Sequence, residues 1–187
     1  MLLSIVEPRS SYWQVKYLRF CSPLECESWL SERQRRRPDV VNDMHVRIKY
    51  PSEPYQVFFV AHRIASLLTY RLPVLLFLTE WGIWPSSENW HLYYRLRRSY
   101  SDYRLLQEAS GHLFLEHEME DLTSFLHLSM LNGWGGYVLT EANHVNALFS
   151  HDEYIDFFSE NSANLTEIRE EFGPKQQTGG GTTITPH

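Results

Sequence analysis

Between Leu105 and Ile168 the chain has no lysine or arginine, yet it carries Glu108, Glu116, Glu118, Glu120, Asp121, Glu141, Asp152, Glu153, Asp156, Glu160 and Glu167. Residues 1–104 hold 15 Lys and Arg against 10 Asp and Glu, and residues 105–187 hold 2 against 13, within a net charge of −6. Such one-sidedness bears on what the protein meets and not on how it folds.

Other scarcities narrow the field further. Two cysteines, Cys21 and Cys26, are too few for a secreted disulfide scaffold, and without a second pair their spacing is a poor metal site. They read as reduced, structural thiols. The longest apolar run, residues 72–78, is interrupted by Pro73 and falls far short of the roughly 18 residues that a membrane span requires. No basic segment followed by a long apolar stretch opens the chain, so no signal peptide is read and a cytoplasmic location is expected. Neither a GxxxxGK[ST] loop nor a GxSxG elbow occurs, and no cofactor is expected. Lysine is scarce as well. Fourteen arginines against Lys16, Lys49 and Lys175 favour planar, bidentate pairing with carboxylates.

What is abundant is apolar and aromatic. Forty-three per cent hydrophobic residues, with six Trp, eleven Tyr and ten Phe in 187 residues, suffice for a sizeable core. Some of these rings remain for a contact surface. Residues 13–20 read as a strand, and Ser22-Pro23 opens a helix over 23–36 that carries Arg33, Arg35, Arg36 and Arg37. Alternation over 44–50 predicts a half-buried strand, apolar spacing over 52–70 a helix, and residues 72–79 a buried strand. The loop 80–85 leads to a helix start at 86–88, with Trp90, Tyr93, Tyr94, Arg95, Arg97 and Arg98 beyond it. Residues 104–107 and 112–115 flank a turn-like tetrad ending in Gly111 and predict a hairpin. A helix over 118–132 stops at Gly133, and residues 137–140 and 145–149 form a second hairpin. Ser150, with Glu153 three residues on, predicts a capped helix holding Tyr154, Ile155, Phe157 and Phe158. Together these give a single α+β domain over residues 1–172, a mixed β-sheet with hairpins in the C-terminal half and about five helices, followed by a disordered Gly/Thr-rich tail over 173–187.

Candidate chemistry is sparse. His112, Glu116, His117, Glu118, Glu120, Asp121 and His127 gather ligand types, but HExxH fails because Asp121 stands where the second histidine belongs, so no metal site is expected. Glu80, where a strand gives way to a helix, is a candidate base for a small hydrolase-like enzyme with His91 beside it. Arg33–Arg37 and Arg95–Arg104, interleaved with Tyr93, Tyr94, Tyr100 and Tyr103, suit phosphate contact and base stacking. A pI of about 5.8 argues against nucleic acid as the partner.

The stretch from Gly135 through Tyr137 and Thr140, followed by residues 148–154, reads as a hairpin running into a capped aromatic helix. Over roughly 135–158 it resembles the ends of some small bacterial toxin-immunity proteins, which would imply an inhibitor. Acids and exposed aromatics held against a basic enzyme describe such a protein physically, because the summed field steers a cationic partner. The expectation is therefore a binding protein rather than an enzyme, neutralising a basic toxin or nuclease. Its contact set is Glu116, Glu118, Glu120, Asp121, Asp152, Glu153 and Asp156, with Trp134 and Tyr137 as aromatic anchors. It rests on those acids sharing one face.

Overall fold

In a computed structural model, residues 19–51, 53–69, 73–81, 90–141 and 145–172 are described. Seven strands form one sheet in the order β1-β4-β3-β5-β6-β7-β2: β1 Arg19–Cys21, β2 His45–Lys49, β3 Val74–Glu80, β4 Gly111–Phe114, β5 Gly135–Thr140, β6 Asn146–Ser150 and β7 Tyr154–Phe158. All six ladders are antiparallel, so the sheet is antiparallel where a mixed one was expected, and β5-β6-β7 is a meander. Among the described residues five helices accompany it: α1 Pro23–Glu32, α2 Pro54–Thr69, α3 Trp90–Ser99, α4 Met119–Leu131 and α5 Ser162–Phe172. The class is α+β.

Strand alternation divides the core into two layers. Val74, Leu76 and Leu78 of β3, with Phe114, Val138, Ala147, Phe149, Ile155 and Phe157, point toward the side covered by α2 to α5. Leu75, Phe77, Leu113 and Leu139 point the other way, where Cys26, Trp29 and Leu30 of α1 cover them. Being buried on both faces, β3 reads as an unbroken apolar run. Helix α2 buries Val57, Ala61, Ile64, Ala65 and Leu68 at helical spacing.

Helix α1 starts as its capping signals require: the Ser22 hydroxyl accepts from the Glu25 N–H (3.3 Å) and the Glu25 carboxylate from the Ser22 N–H (2.6 Å), with Pro23 in the first turn. It ends four residues earlier than expected, because Gln34 adopts a left-handed φ of 56°. The arginines after Arg33 therefore lie on a connecting segment. Gly133 closes α4 with a φ of 62°, and the Trp134 N–H reaches back to the Ser129 carbonyl.

Two local expectations are corrected. Residues 154–158 form β7 and not a capped helix. The Ser150 hydroxyl accepts from the Asp152 N–H (3.1 Å), the Glu153 N–H donates to the Ser150 carbonyl (3.1 Å), and Glu153 sits at a φ of 62°, which makes a tight turn between β6 and β7. The hairpin expected across Gly111 is likewise absent. Residues 105–109 close a turn on the Leu105 carbonyl, and β4 pairs with β3 and β1. Gly111 is required by packing instead, since a Cβ there would overlap the Cys26 sulfur. Helix α5, with Leu165 and Ile168 turned inward, was not anticipated. Most of the strand expected at 13–20, the helix start at 86–88 and the tail at 173–187 lie outside the described residues.

Candidate functional site

The antiparallel order makes β3, β6 and β2 finish, and β5 and β7 begin, at the same end of the sheet. Helix α4 finishes there too, running through Gly133 into β5. This end carries a concavity of about 420 Å³ whose walls include Tyr50, Pro54, Val57, Met130, Leu131 and Gly133, with Ser150, His151, Asp152 and Glu153 along its lip. An apolar wall beside a charged lip is the composition of a contact surface with an anchor pocket.

Glu80 stands at the same sheet end, held by three features. The β3–β5 register shifts between Leu78 and Glu80, so the strand re-aims its last side chain. Gly135 leaves room for the carboxylate, as a Cβ there would lie 2.6 Å from Glu80 Oε2. Finally, His151 Nδ1 sits 2.8 Å from Glu80 Oε2, and its Nε2 lies 3.4 Å from Asp152 Oδ1. One imidazole thus bridges two carboxylates, each about half or more exposed (49% and 64%). The sequence marks Glu80 by its place at a strand end. It gave no sign of His151, 71 residues away.

The structure does not bring the nine expected contact residues together. Helix α4 begins beyond the opposite end of β4, so Glu118, Glu120 and Asp121 are separated from Asp152 and Glu153 by its 13 residues, about 20 Å of helix. Glu116 belongs to the short 3-10 turn Glu116–Glu118 that leads into that helix. Glu118 is buried and accepts from the Leu115 N–H (2.7 Å), which makes it the cap of that turn. Glu120 is exposed, and Asp121 accepts from the Tyr100 hydroxyl. Trp134 is 2% exposed, stacked edge-on to Trp90 and Tyr93 in the core. Tyr137 is half-buried on the α1 side, 5.9 Å from Arg37, and burial raises its phenol above the ordinary range. Asp156 is 0% exposed and takes a bidentate pair from Arg47 across the β2–β7 ladder, at 2.8 Å each. Of the nine, Asp152 and Glu153 share the concavity.

The basic stretches are dispersed in the same way. Arg33 pairs with Glu141 (3.1 Å), Arg36 with Asp43 (2.7 Å) and Arg37 with Glu27 (3.2 Å). Arg97 turns inward and is 0% exposed while Arg95 and Arg98 face out, so the three do not form one nucleic-acid surface. The ligand types near α4 also part company. His112 is buried against the Tyr93 hydroxyl (3.1 Å), His117 is exposed, and His127 packs on Phe58. No group of three or more metal-ligating side chains gathers among the described residues. His91 is exposed near the start of α3, and it is His151, not His91, that contacts Glu80. Much of the expected pocket loop, residues 82–89, lies outside the described residues. None of the helices among the described residues is long and apolar enough to cross a membrane.

No protein-family model, curated protein or solved structure matches this chain.

Proposed function

We propose that the protein works by binding another macromolecule, as an inhibitor or immunity-type partner of a basic toxin or nuclease, and that it does so with the sheet end bearing Glu80, His151, Asp152 and Glu153. The observation that carries this reading is the acidic lip on a partly apolar concavity. A protruding loop with an arginine or lysine would place its aliphatic stem against Pro54, Val57 and Met130 and its charge against Asp152 and Glu153. Glu80 supports the reading because its carboxylate is positioned before any partner arrives, so little ordering remains to oppose binding. The acids at the start of α4 lie outside this surface and act only through the long-range field.

The test compares wild-type protein with a Glu80→Lys/Asp152→Lys/Glu153→Lys variant, and with a Glu120→Lys control, as bait in a cell extract of the source organism. Basic proteins enriched by wild type and control, and lost with the triple variant, are expected. Purified with the best-enriched partner, the triple variant should associate at least about tenfold more slowly, with a weaker salt dependence. Equal enrichment by wild type and triple variant would refute the assignment.

A further inference from the structure

Among the described residues, the exposed large apolar side chains Leu24, Val41, Met44, Leu92, Tyr103 and Leu105 are spread over α1, α3 and two connecting segments. Isolated exposures of this kind are ordinary. Helices α2 and α4 differ, because their outer seam gathers Tyr55 (63% exposed), Phe58, Phe59 (59%) and Leu131 on one face. The rings are contiguous. Phe58 meets Phe59 edge-on at 5.7 Å, stacks on His62 at 6.1 Å and receives His127 of α4 edge-on at 5.4 Å.

The charge of this seam says what covers it. The helix period places Ser66 beside His62 on α2, and Ser124, His127 and Leu131 in line on α4. Burial lowers the pKa of His127, which leaves it neutral near pH 7. Glu120 stands at the far end of the α4 row. Arg63, toward α5, is paired with Glu171, and Asp121, toward α3, is bound by Tyr100. No further lysine, arginine or carboxylate stands on the seam proper, on a chain of net charge −6 in which 21% of residues are charged. It offers nothing to complement a strongly basic protein. Two copies of an acidic chain repel each other, and a neutral apolar face is where that repulsion is least and apolar burial greatest.

We infer that this seam is the interface of a homodimer, in which α2 and α4 of one copy pack on α2 and α4 of another about a two-fold axis. A two-fold contact matches a patch to itself, so one self-compatible neutral face suffices. A helix of 16 residues is about 24 Å long, and two helices side by side are about 20 Å wide. Each copy then buries roughly 500 Å², at the low end for specific contacts, so the dimer is weak and in concentration-dependent exchange. The seam adjoins the concavity through Leu131 while leaving Glu80, Asp152 and Glu153 outside it, so the dimer does not depend on the proposed partner.

Sedimentation velocity and light scattering of the full chain from about 1 to about 300 μM test this directly. The mass should rise from 22.2 kDa toward twice that value. The exposed substitutions Phe59→Glu and, separately, Ser124→Arg should hold it at the monomer value with unchanged circular dichroism. Should Phe59→Glu impair folding, Ser124→Arg carries the test alone, since it removes no apolar contact. The Glu80→Lys/Asp152→Lys/Glu153→Lys variant should still dimerise, which separates this inference from the binding proposal. A monomer mass at every concentration overturns the dimer, and so does a dimer that both seam variants leave intact.

Discussion

At the scale of single residues, the most consequential choices are polar groups placed inside the core. Arg97 is fully buried between the rings of Phe20 (5.1 Å) and Tyr94 (5.9 Å) and donates to Asp102 (3.2 Å). Asp102 also receives the Arg104 guanidinium (2.7 Å) and backbone N–H (2.8 Å). Burial opposes charge on Asp102, but the Arg104 hydrogen bonds and the Arg97 field outweigh it and keep its pKa below the usual carboxylate range. Beside them His112, enclosed and next to Arg97, has a pKa well below the ordinary imidazole value, chiefly through desolvation. An unfolded chain takes up that proton near pH 6.5, whereas the folded one does not. Below pH 6.5 the unfolded state therefore holds more protons, and stability falls on acidification by up to about 1.4 kcal/mol per pH unit for this group. His127, depressed by burial, adds in the same direction. Asp102 acts in a lower window, its contribution being present above about pH 4 and lost as the pH falls through its depressed folded value. Urea unfolding between pH 7 and pH 5 should show this slope, shallower in His112→Gln. Equal slopes in the two proteins would show that His112 does not stay neutral in the fold. None of this was legible in the sequence. Arg97 is one of three nearby arginines, and only the inward turn of α3 singles it out.

At the scale of elements, the sequence was legible where local bonds decide the structure. The Ser22-Pro23 start of α1, the spacing along α2 and the glycine stop of α4 are each settled within one or two helical turns. It misled at residues 150–158, because a serine followed three residues later by a glutamate fits a tight turn as well as a helix cap. What decides between them is the pairing of Ile155 with Phe149 on β6 and Ile48 on β2, which local spacing does not contain. Helix α5 had a readable signal in the spacing of Leu165, Ile168 and Phe172, diluted by Glu167, Glu170 and Glu171. Gly111 illustrates the same limit, read as a turn glycine but needed for the approach of α1 to the sheet. Gly111→Ala should destabilise the fold by about 1–3 kcal/mol, as overpacking does. Removing the opposing sulfur in Gly111→Ala/Cys26→Ala should restore part of that loss beyond the sum of the single changes. Thermal unfolding of the double-mutant cycle measures the coupling, and strict additivity would contradict the close contact.

At the scale of the whole molecule, the charge asymmetry is real in the chain and is divided by the fold. Arginines of the first half reach into the second at Glu141, Asp156 and Glu171, and the acids that remain open gather at different ends of the sheet. A single acidic face over all nine expected residues is therefore not formed. The end that combines acids with an apolar concavity is built by the meander and by the last residue of β3, elements far apart in sequence. For that reason local sequence signals do not join Glu80 and His151 to Asp152 and Glu153. Partner contact at this end is the central claim, and amide hydrogen exchange with and without the captured basic partner tests it most directly. Slowed exchange across 150–154 and around Glu80 and Trp81, with 116–124 unchanged, is the predicted result. Protection confined to the start of α4, or to the arginine segment 33–37, would contradict it.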